Sequence, residues 1–294
     1  MIKYERTQVF DETLKYFDGD ALATNVWINK YCLKDSNDNL YELTPDDMHH
    51  RIARELARIE NKYENPISED DIFDLMKNFK YINPAGSSMA GIGNNFQFSS
   101  LSNCFVIGNN YDSYGGIFGL DQEEAQLMKR RGGVGFDISH IRPKDSPVNN
   151  SALSSTGIVP FMKRFSNTTR EVAQDGRRGA LLLSLSVHHY NIEEFIDSKL
   201  EKGEITGANI SIRVSNEFMK AVKNDELYEQ RYPVDSSKPT LSRKVKARKI
   251  WNKLVENNHK SAEPGILFWD TIIENSTPDN YEGFTTVSTN PCGR

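Results

Sequence analysis

From residue 81 onward, short apolar runs alternate with stretches that have helical character. The runs resemble β-strands because they are brief, rich in aliphatic residues and bounded by turn-forming residues, and they occupy residues 101–107, 179–188, 208–214 and 265–269. Helix-like segments occupy residues 116–131 and begin again after Asn191 and Ser215. This alternation predicts an α/β fold with mainly parallel strands.

The first 80 residues lack such runs and are predicted to form a helical domain. Thr44-Pro45-Asp46-Asp47 offers an N-cap, a proline at the first helical position and two acids near the positive end of the helix dipole. An apolar stripe follows at helical spacing, and Pro66 is expected to end that helix; the stripe comprises Met48, Ile52, Leu56, Ile59 and Tyr63. Ser68 is predicted to cap the next helix, which buries Ile72, Met76 and Phe79.

Composition narrows the possible functions. The net charge of −5 gives no basic footprint for nucleic-acid binding. No run of 18 apolar residues predicts a membrane span, and the N-terminus lacks the apolar region of a signal peptide. The three cysteines, Cys32, Cys104 and Cys292, have neither disulfide-framework nor zinc spacing. A cytoplasmic protein with reduced thiols is therefore expected.

Two segments combine arginine with glycine. Residues 130–136 and 174–179 each suit either anion binding or close backbone packing, and we interpret both as turns. Residues 238–249 are rich in cations and predict a loop with a solvated helix face. His188 and His189 are predicted to be neighbours in a strand that point to opposite faces, so they do not suit one metal ion.

The order of the motifs is more specific than any one of them. The motifs occupy residues 83–88, 101–105, 112–117, 132–136, 141–147, 176–179 and 290–293. In this order they resemble the catalytic large subunit of ribonucleotide reductases, and the resemblance extends from about residue 8 to the C-terminus. The Asn-Pro-Cys-Gly form of the last motif and residues 14–17, 26–27 and 30–31 are most similar to the adenosylcobalamin-dependent class II branch. No additional N-terminal ATP-cone domain is expected, so on/off control by dATP is not expected either.

The resemblance implies a fold and a chemistry. Members of this family fold as a ten-stranded α/β barrel made of two halves, so we expect a helical domain over residues 1–80 and the first part of the barrel over residues 81–294, which ends on the finger loop. The implied reaction reduces ribonucleotides to deoxyribonucleotides for DNA replication. Cys292 matches the cysteine that becomes a thiyl radical, Asn290 the asparagine that binds the substrate hydroxyls, and Cys104 one of two reducing thiols. Without these motifs, Cys104 in a strand would read as a small buried hydrophobe, and Cys32 is expected to be structural.

Substrate and effector residues follow from the same resemblance. Ser87, Ser102 and Arg178 match positions that contact the substrate. Residues 174–180 match a loop that relays the identity of a deoxynucleoside triphosphate effector to the substrate base. The effector itself is expected to contact Asp112, Ser113, Arg142 and Lys144. The effector site of this family also implies a homodimer.

The end of the chain departs from the family pattern. Arg294 stands where the family has a glutamate that acts as general base, and arginine cannot accept a proton. The second reducing thiol, the second half-barrel and the C-terminal reducing tail are missing from these 294 residues. The isolated chain is therefore expected to be inactive, as one part of a split or truncated reductase that needs a C-terminal partner polypeptide and a thioredoxin-type reductant.

Three alternatives remain open. The chain is also interpretable as a fragment of a class I large subunit, whose radical comes from a separate metal-containing subunit. A second interpretation is a catalytically inactive half that binds deoxynucleotides and regulates, and a third is a gene fragment with no role of its own. The sequence leaves open whether diphosphates or triphosphates are reduced.

Overall fold

A computed structural model describes residues 2–108, 111–172, 179–200 and 204–292. These residues form two compact units. The helical unit comprises residues 2–103 and 129–132, and the sheet unit comprises the other described residues. The division predicted near residue 80 stays a prediction. Among the described residues, no helix has the length and apolar character needed to cross a membrane.

The helical unit contains five α-helices around one apolar core, which includes Val9, Trp27, Ile28 and Leu40. Its elements are α1 (Arg6–Tyr16), α2 (Ala21–Lys30), α3 (Pro45–Glu60), α4 (Glu69–Met76), a 3-10 turn (Lys77–Phe79) and α5 (Gly86–Gly91). Thr44 is the N-cap of α3, and the Asp47 carboxylate accepts a hydrogen bond from the Thr44 backbone N–H. Ser68 caps α4 through the Asp71 N–H. Both predicted helix starts are confirmed.

The predicted apolar stripe of α3 is wrong in its second half. Met48 and Ile52 are buried, but Leu56, Ile59 and Tyr63 are exposed. Repeated four-residue steps drift around a helix that has 3.6 residues per turn, so the buried face continues instead through Ala53 and Ala57. The helix also ends at Glu60, before Tyr63 and Pro66.

A buried ion pair holds α3 to the rest of the helical unit. The Arg51 Nε donates to Glu42 Oε1 at 2.7 Å, and the Leu33 N–H donates to Glu42 Oε2 at 2.7 Å. The remaining guanidinium nitrogens of Arg51 donate to the carbonyl oxygens of Met89 and Ile92. Every charged group of this pair therefore has a partner, which is the condition under which a buried ion pair is tolerated.

The sheet unit contains a five-stranded parallel sheet and confirms the predicted α/β fold class. Its strands are β1 (Cys104–Val106), β2 (Gly133–Asp137), β3 (Leu181–Ser186), β4 (Asn209–Val214) and β7 (Gly265–Phe268), hydrogen-bonded in that order. The helices of this unit are α6 (Tyr114–Met128), α7 (Val159–Glu171), α8 (Ile192–Asp197), α9 (Asn216–Asn224), α10 (Ala247–Ser261) and α11 (Trp269–Glu274). Ser215 caps α9 through the Phe218 N–H, as predicted. Strands β3 and β4 are buried over most of their length, as in a parallel sheet that is covered on both faces.

The glycine-rich segment at residues 132–136 is not a turn. Residues 133–137 form β2, which lies between β1 and β3, and the first four of them are buried. Glycine usually weakens a strand, and within one it often marks a place where another backbone approaches closely. The predicted turn is therefore wrong for residues 133–136, but the close backbone packing that these glycines also suggested is confirmed, because a Cβ atom at Gly135 would lie 2.0 Å from the Thr289 carbonyl oxygen.

The cationic segment at residues 238–249 was also predicted wrongly in part. Residues 241–246 form the strand β6 (Leu241–Lys246), which pairs antiparallel with β5 (Leu227–Tyr232). Tyr228 and Gln230 of β5 are buried, and the Tyr228 hydroxyl donates to the Val187 carbonyl oxygen. Exposed residues of β6, which include Lys244 and Lys246, alternate with less exposed ones, which include Arg243, and this is the pattern of a half-buried strand.

Candidate active site

Two thiols lie together in the sheet unit. Cys104 opens β1, and its Sγ is 2.8 Å from Sγ of Cys292. The Cys292 side chain is exposed, and Cys104 is half-buried. The Asn290 Oδ1 accepts a hydrogen bond from the Cys292 N–H at 3.1 Å, which orders the turn that carries the thiol. Three residues predicted from the sequence, Cys104, Asn290 and Cys292, are therefore brought to one place.

Glycines of β2 make room for the segment that carries Cys292, which we call the thiol loop (residues 285–292). A Cβ atom at Gly135 would lie 2.0 Å from the Thr289 carbonyl oxygen. A Cβ atom at Gly133 would lie 2.9 Å from Cγ of Pro291. Such distances are far below van der Waals contact, so the thiol loop packs directly on the backbone of β2. Cys104 pairs in register with Gly133, and this places the two thiols side by side.

The predicted substrate residues lie in other parts of the chain. Ser87 and Ser102 belong to the helical unit. Ser87 is fully buried, and its N–H donates to Asn103 Oδ1, while its hydroxyl has no hydrogen-bond partner among the described residues. Ser102 is exposed, and its N–H donates to the Ser100 hydroxyl. Arg178 and Arg294 lie outside the described residues.

A separate cavity of about 250 Å³ lies in the sheet unit at the start of α6. Three of the four predicted effector residues line it, namely Asp112, Ser113 and Arg142. Its other walls carry hydroxyl, amide and aromatic groups; they include Tyr114, Asn149, Asn150, Ser154, Thr156 and Phe161. The Ser113 hydroxyl accepts from the Gly116 N–H and so caps the first turn of α6.

Asp112 and Arg142 form an ion pair at the wall of this cavity. The Arg142 Nε donates to Asp112 Oδ2 at 2.5 Å, and the Arg142 backbone N–H donates to Asp112 Oδ1 at 3.1 Å. The Tyr232 hydroxyl donates to Asp112 Oδ2 at 2.9 Å, so a second residue besides Arg142 holds this carboxylate in place. Burial, together with the Asp112 charge, raises the pKa of Tyr232, so its hydroxyl stays protonated and can donate.

Lys144 does not line the cavity. Its side chain is exposed, and its backbone N–H donates to Asn191 Oδ1 at 2.8 Å. This contact uses the side chain of Asn191, the residue that precedes α8, and that side chain makes no capping bond to the α8 backbone. The structure therefore groups Asp112, Ser113 and Arg142 but leaves Lys144 outside.

Tyr232 is a site residue that the sequence analysis missed. It lies on β5, whose strand character was hidden by polar residues. It also lines a second cavity, of about 620 Å³, whose wall likewise includes Asp112. In that cavity Arg213 pairs with Asp137 at 3.0 Å, and its guanidinium lies 3.6 Å from the Trp269 ring centroid. Buried Tyr228 and Gln230 lie at alternate positions of β5, but because Gln230 is polar the sequence lacks the apolar alternation that predicts a strand.

The histidines have structural partners. His188 lies in a turn after β3, and His189 forms an isolated parallel β-bridge with Arg231, so neither residue continues β3 as predicted. The His189 Nδ1 accepts from the Asn191 N–H, so Nε2 carries the proton and donates to the Ile141 carbonyl oxygen. Burial lowers the pKa of His189 to about 4, so its ring is neutral. No group of three or more His, Cys, Asp or Glu side chains suited to a metal ion occurs among the described residues.

Family comparisons match two consecutive parts of the chain to two domains of one family. Residues 17–97 match the all-alpha domain of ribonucleotide reductase, and residues 102–293 match its barrel domain. The barrel match alone covers about two thirds of the chain. The chain belongs to the ribonucleotide reductase family. Its helical unit and parallel sheet are consistent with the all-alpha domain and part of the barrel of such a reductase.

Similar proteins of this family include both vitamin B12-dependent reductases and other reductases. The chain is 33% identical over 235 residues to a vitamin B12-dependent ribonucleoside-diphosphate reductase of Thermoplasma acidophilum, an alignment that covers 79% of this chain and 28% of that protein. It is 28% identical over 276 residues to the enzyme of the same name from Mycobacterium tuberculosis, covering 92% and 38%. It is also 28% identical over 279 residues to a ribonucleoside-diphosphate reductase subunit alpha of Helicobacter pylori, covering 86% and 34%. The chain thus spans about a third of the length of these relatives.

Proposed function

We propose that this chain supplies the N-terminal part of a ribonucleotide reductase, including two of its catalytic thiols. The reaction is the reduction of a ribonucleoside diphosphate or triphosphate to the deoxyribonucleotide by thiyl-radical chemistry. The observation that carries this proposal is the 2.8 Å distance between the Cys104 and Cys292 sulfurs at the sheet of a reductase barrel. A radical thiol and a reducing thiol must both reach one ribose, so they must lie close together.

In this proposal each residue has one role. Cys292, as a thiyl radical, takes the 3′-hydrogen of the ribose and later returns it. Cys104 is one of the two thiols that reduce C2′. Asn290 binds the ribose hydroxyls with its amide, while Ser87, Ser102 and Arg178 contact the ribose or the phosphates. A thiol suits hydrogen-atom transfer because its S–H bond is weak and is readily formed again.

Adenosylcobalamin is the proposed source of the radical, since two of the similar reductases are named as vitamin B12-dependent. The exposed Cys292 side chain fits this cofactor, because an external radical source can reach its sulfur. When bound, adenosylcobalamin supplies a carbon-centred radical. The alternative is a class I arrangement, with a separate metal-containing subunit. Because the chain is also similar to the subunit alpha of Helicobacter pylori, the experiment below tests this alternative too.

The proposal includes further components. A C-terminal polypeptide would add the second half of the barrel and the second reducing thiol, and a thioredoxin-type protein would return electrons to the thiols. The support is that the relatives are about three times longer than this chain. We place the reaction in the cytoplasm, where thiols stay reduced.

The cavity at Asp112 is the proposed site for a deoxynucleoside triphosphate effector. Arg142 presents a planar guanidinium, the group that best matches phosphate geometry. The adjacent first turn of α6 adds backbone N–H groups and the positive end of a helix dipole, which also favour an anion. Lys144 is proposed to contact the phosphates from outside the cavity. The bound effector is proposed to favour a homodimer, which light scattering with and without effector would detect.

Reconstitution tests the proposed reaction. The chain is mixed with a polypeptide that carries the second half-barrel, a ribonucleotide, a dithiol reductant and adenosylcobalamin, and deoxyribonucleotide is measured. We expect product only when both polypeptides are present, and we expect Cys292→Ser and Cys104→Ser to abolish it. Cys32→Ser, which changes a cysteine of the helical unit, is the matched control and should retain activity.

Each failure in that experiment has a defined meaning. Product formed by the Cys292→Ser variant would refute the thiyl role. Product that requires a metal-containing subunit and not cobalamin would support the class I alternative. Binding of effector in calorimetry without any reduction in the complete mixture would support the regulatory half. In calorimetry, Arg142→Met should weaken the binding of deoxynucleoside triphosphates at least tenfold, which corresponds to about 1.4 kcal/mol, whereas the surface variant Lys163→Met should not.

A further inference from the structure

We propose that Cys104 and Cys292 form an intrachain disulfide under mild thiol-oxidising conditions, so that the candidate active site is a reversible thiol switch. The consequence for catalysis rests on the proposed function, because it matters only if these thiols react with a nucleotide. The formation of the disulfide does not rest on it. It follows from the geometry of the thiol loop and of β1.

The two sulfurs are already close enough. Their distance is 2.8 Å, and a disulfide bond is about 2.05 Å long, so closure requires a movement of less than about 1 Å. The Cys292 side chain is exposed, so it can make this movement without repacking a core. The Cys104 side of the pair is fixed by the parallel register of β1 with β2.

The loop approaches from a distant part of the chain and is held by contacts of its own. The close packing of Thr289 and Pro291 on Gly135 and Gly133 fixes its backbone. The Cys292 N–H is bound to Asn290 Oδ1, and the nearby Ser288 is buried. The fold therefore holds the two sulfurs next to each other. A small-molecule thiol cannot easily replace Cys104 as the reaction partner of Cys292.

The third cysteine provides an internal contrast. Cys32 is buried in the helical unit, and its thiol lies 3.5 Å from the Glu42 carbonyl oxygen. Burial, together with the Glu42 charge, raises the pKa of Cys32 to about 12. Since the thiolate is the reactive form, Cys32 should stay reduced while the exposed Cys292 reacts.

The oxidant is a small-molecule disulfide, such as oxidised glutathione. The Cys292 thiolate attacks one sulfur of this oxidant, the S–S bond of the oxidant breaks, and one thiolate leaves and takes up a proton. The Cys104 thiol then loses its proton and attacks the Cys292 sulfur of the mixed disulfide, and the second small thiol leaves. In total, two cysteine thiols are oxidised by two electrons and one small disulfide is reduced to two thiols.

The product would have no catalytic S–H bond at either position. Cys292 could not give a thiyl radical by losing hydrogen, and Cys104 could not reduce C2′. This disulfide differs from the one that the proposed reaction leaves behind, because it uses the radical cysteine and forms without substrate. A dithiol would reverse it.

Mass spectrometry of the 294-residue chain tests the switch. The chain is incubated with oxidised glutathione, quenched in acid, unfolded and alkylated. We expect three alkyl groups before oxidation and one afterwards, carried by Cys32, with a peptide that links Cys104 to Cys292; dithiothreitol should restore three. The Cys104→Ser variant should give a glutathione adduct on Cys292 and no link.

Two further arms test whether the fold creates the pair. Gly135→Ala should lower the linked fraction several-fold, because the new methyl group would displace Thr289. Gly119→Ala on α6 is the matched control, since a Cβ there meets no atom within 4 Å, and it should link like the original chain. If Gly135→Ala fails to fold, oxidation of the original chain in concentrated urea replaces it, and the link should then form more slowly than in buffer.

Glutathione adducts on both cysteines of the folded chain, or a link that involves Cys32, would overturn the inference. So would linking that is equally fast in urea and in buffer. These results would leave the proposed reductase function untouched. Conversely, a specific link in a chain that never supports nucleotide reduction would establish the disulfide and refute the proposed function.

Discussion

Two buried carboxylates, one in each unit, differ in the hydrogen-bond partners of their oxygens. Glu42 in the helical unit and Glu124 in the sheet unit are both almost fully buried. Glu42 accepts hydrogen bonds from Arg51 and from the Leu33 N–H, so both of its oxygens have partners. Glu124 accepts one from the Thr169 hydroxyl, and its Oε2 has no hydrogen-bond partner among the described residues. Burial raises the pKa of both carboxyl groups, but the charge and hydrogen bond of Arg51 oppose this rise at Glu42, whereas only the Thr169 hydrogen bond opposes it at Glu124.

The electrostatic surroundings explain the difference. Burial, with a smaller contribution from the Asp121 charge, raises the pKa of Glu124 to about 8. The nearby cation Arg164 is already paired with Asp121. A charge without a counter-ion is costly in a protein interior, so the carboxyl group keeps its proton instead. Proximity to charged residues does not by itself predict ionisation, because the neighbours can satisfy each other.

The largest expected effect is that of Glu42→Gln. The substitution leaves the Arg51 guanidinium buried without a negative partner, and breaking a buried pair in this way costs about 3–5 kcal/mol. Urea unfolding monitored by circular dichroism should show this loss. The control is Glu69→Gln, whose carboxylate faces Arg54 on the surface at 3.6 Å and should matter by less than about 1 kcal/mol. Equal effects of the two substitutions would remove the contrast between buried and exposed pairs.

Glu124→Gln should stabilise the chain at high pH, which is the opposite of the effect expected for Glu42→Gln. The folded-state pKa of Glu124 lies above its unfolded value, so the folded chain binds the extra proton between about pH 4.5 and 8. Stability is therefore lost as the pH rises through this window, by at most about 1.4 kcal/mol per pH unit. The neutral glutamine has no such loss, and the variant should overtake the original chain as the pH rises.

Urea unfolding of both chains at several pH values between 5 and 8.5 measures this difference. Because other groups titrate equally in both chains, the difference between the two unfolding free energies isolates Glu124. Parallel profiles across the range would show that Glu124 is ionised in the folded chain.

The smallest expected effects compare two helix caps, Ser68 and Ser215. Each hydroxyl accepts one backbone N–H at the start of a helix, and replacing such a cap by alanine costs about 1 kcal/mol. Each hydroxyl has a second contact: that of Ser215 lies 2.8 Å from Nε2 of the buried His188, whereas that of Ser68 donates to the exposed Asp71 Oδ2 at 2.6 Å, where water competes for the bond. Ser215→Ala should therefore destabilise more than Ser68→Ala, as thermal unfolding of the two variants would reveal. Equal losses would mean that the contact with His188 contributes nothing.

Local signals predicted the helices well. The caps at Thr44, Ser68 and Ser215 were read correctly because a cap and its partner lie within a few residues of each other. The parallel sheet followed from the alternation of apolar runs with helices. The same local reasoning predicted the wrong surface for Leu56, since the exact phase of a helix depends on what packs against it.

The errors in the sheet unit have a common cause. Gly133 and Gly135 were predicted to lie in a turn, since glycines often do. In this strand glycine is needed because Thr289 and Pro291 approach its backbone closely, and these two residues come more than 150 positions later. Tyr232 was missed because a two-stranded hairpin of polar residues has little apolar signal. The sequence could indicate Cys104 and Cys292 only through family resemblance, since no local pattern predicts that two distant thiols meet.

The order of the parallel strands has a consequence for how the chain acquires its structure. Each strand of the sheet lies beside the one formed before it, except for the hairpin that intervenes before β7. A chain emerging from the ribosome can therefore add its strands one by one. The approach of Cys292 to Cys104 spans 188 positions, and all five parallel strands lie within this span. The close approach of these sulfurs is thus a chemical record that the strands between them have formed.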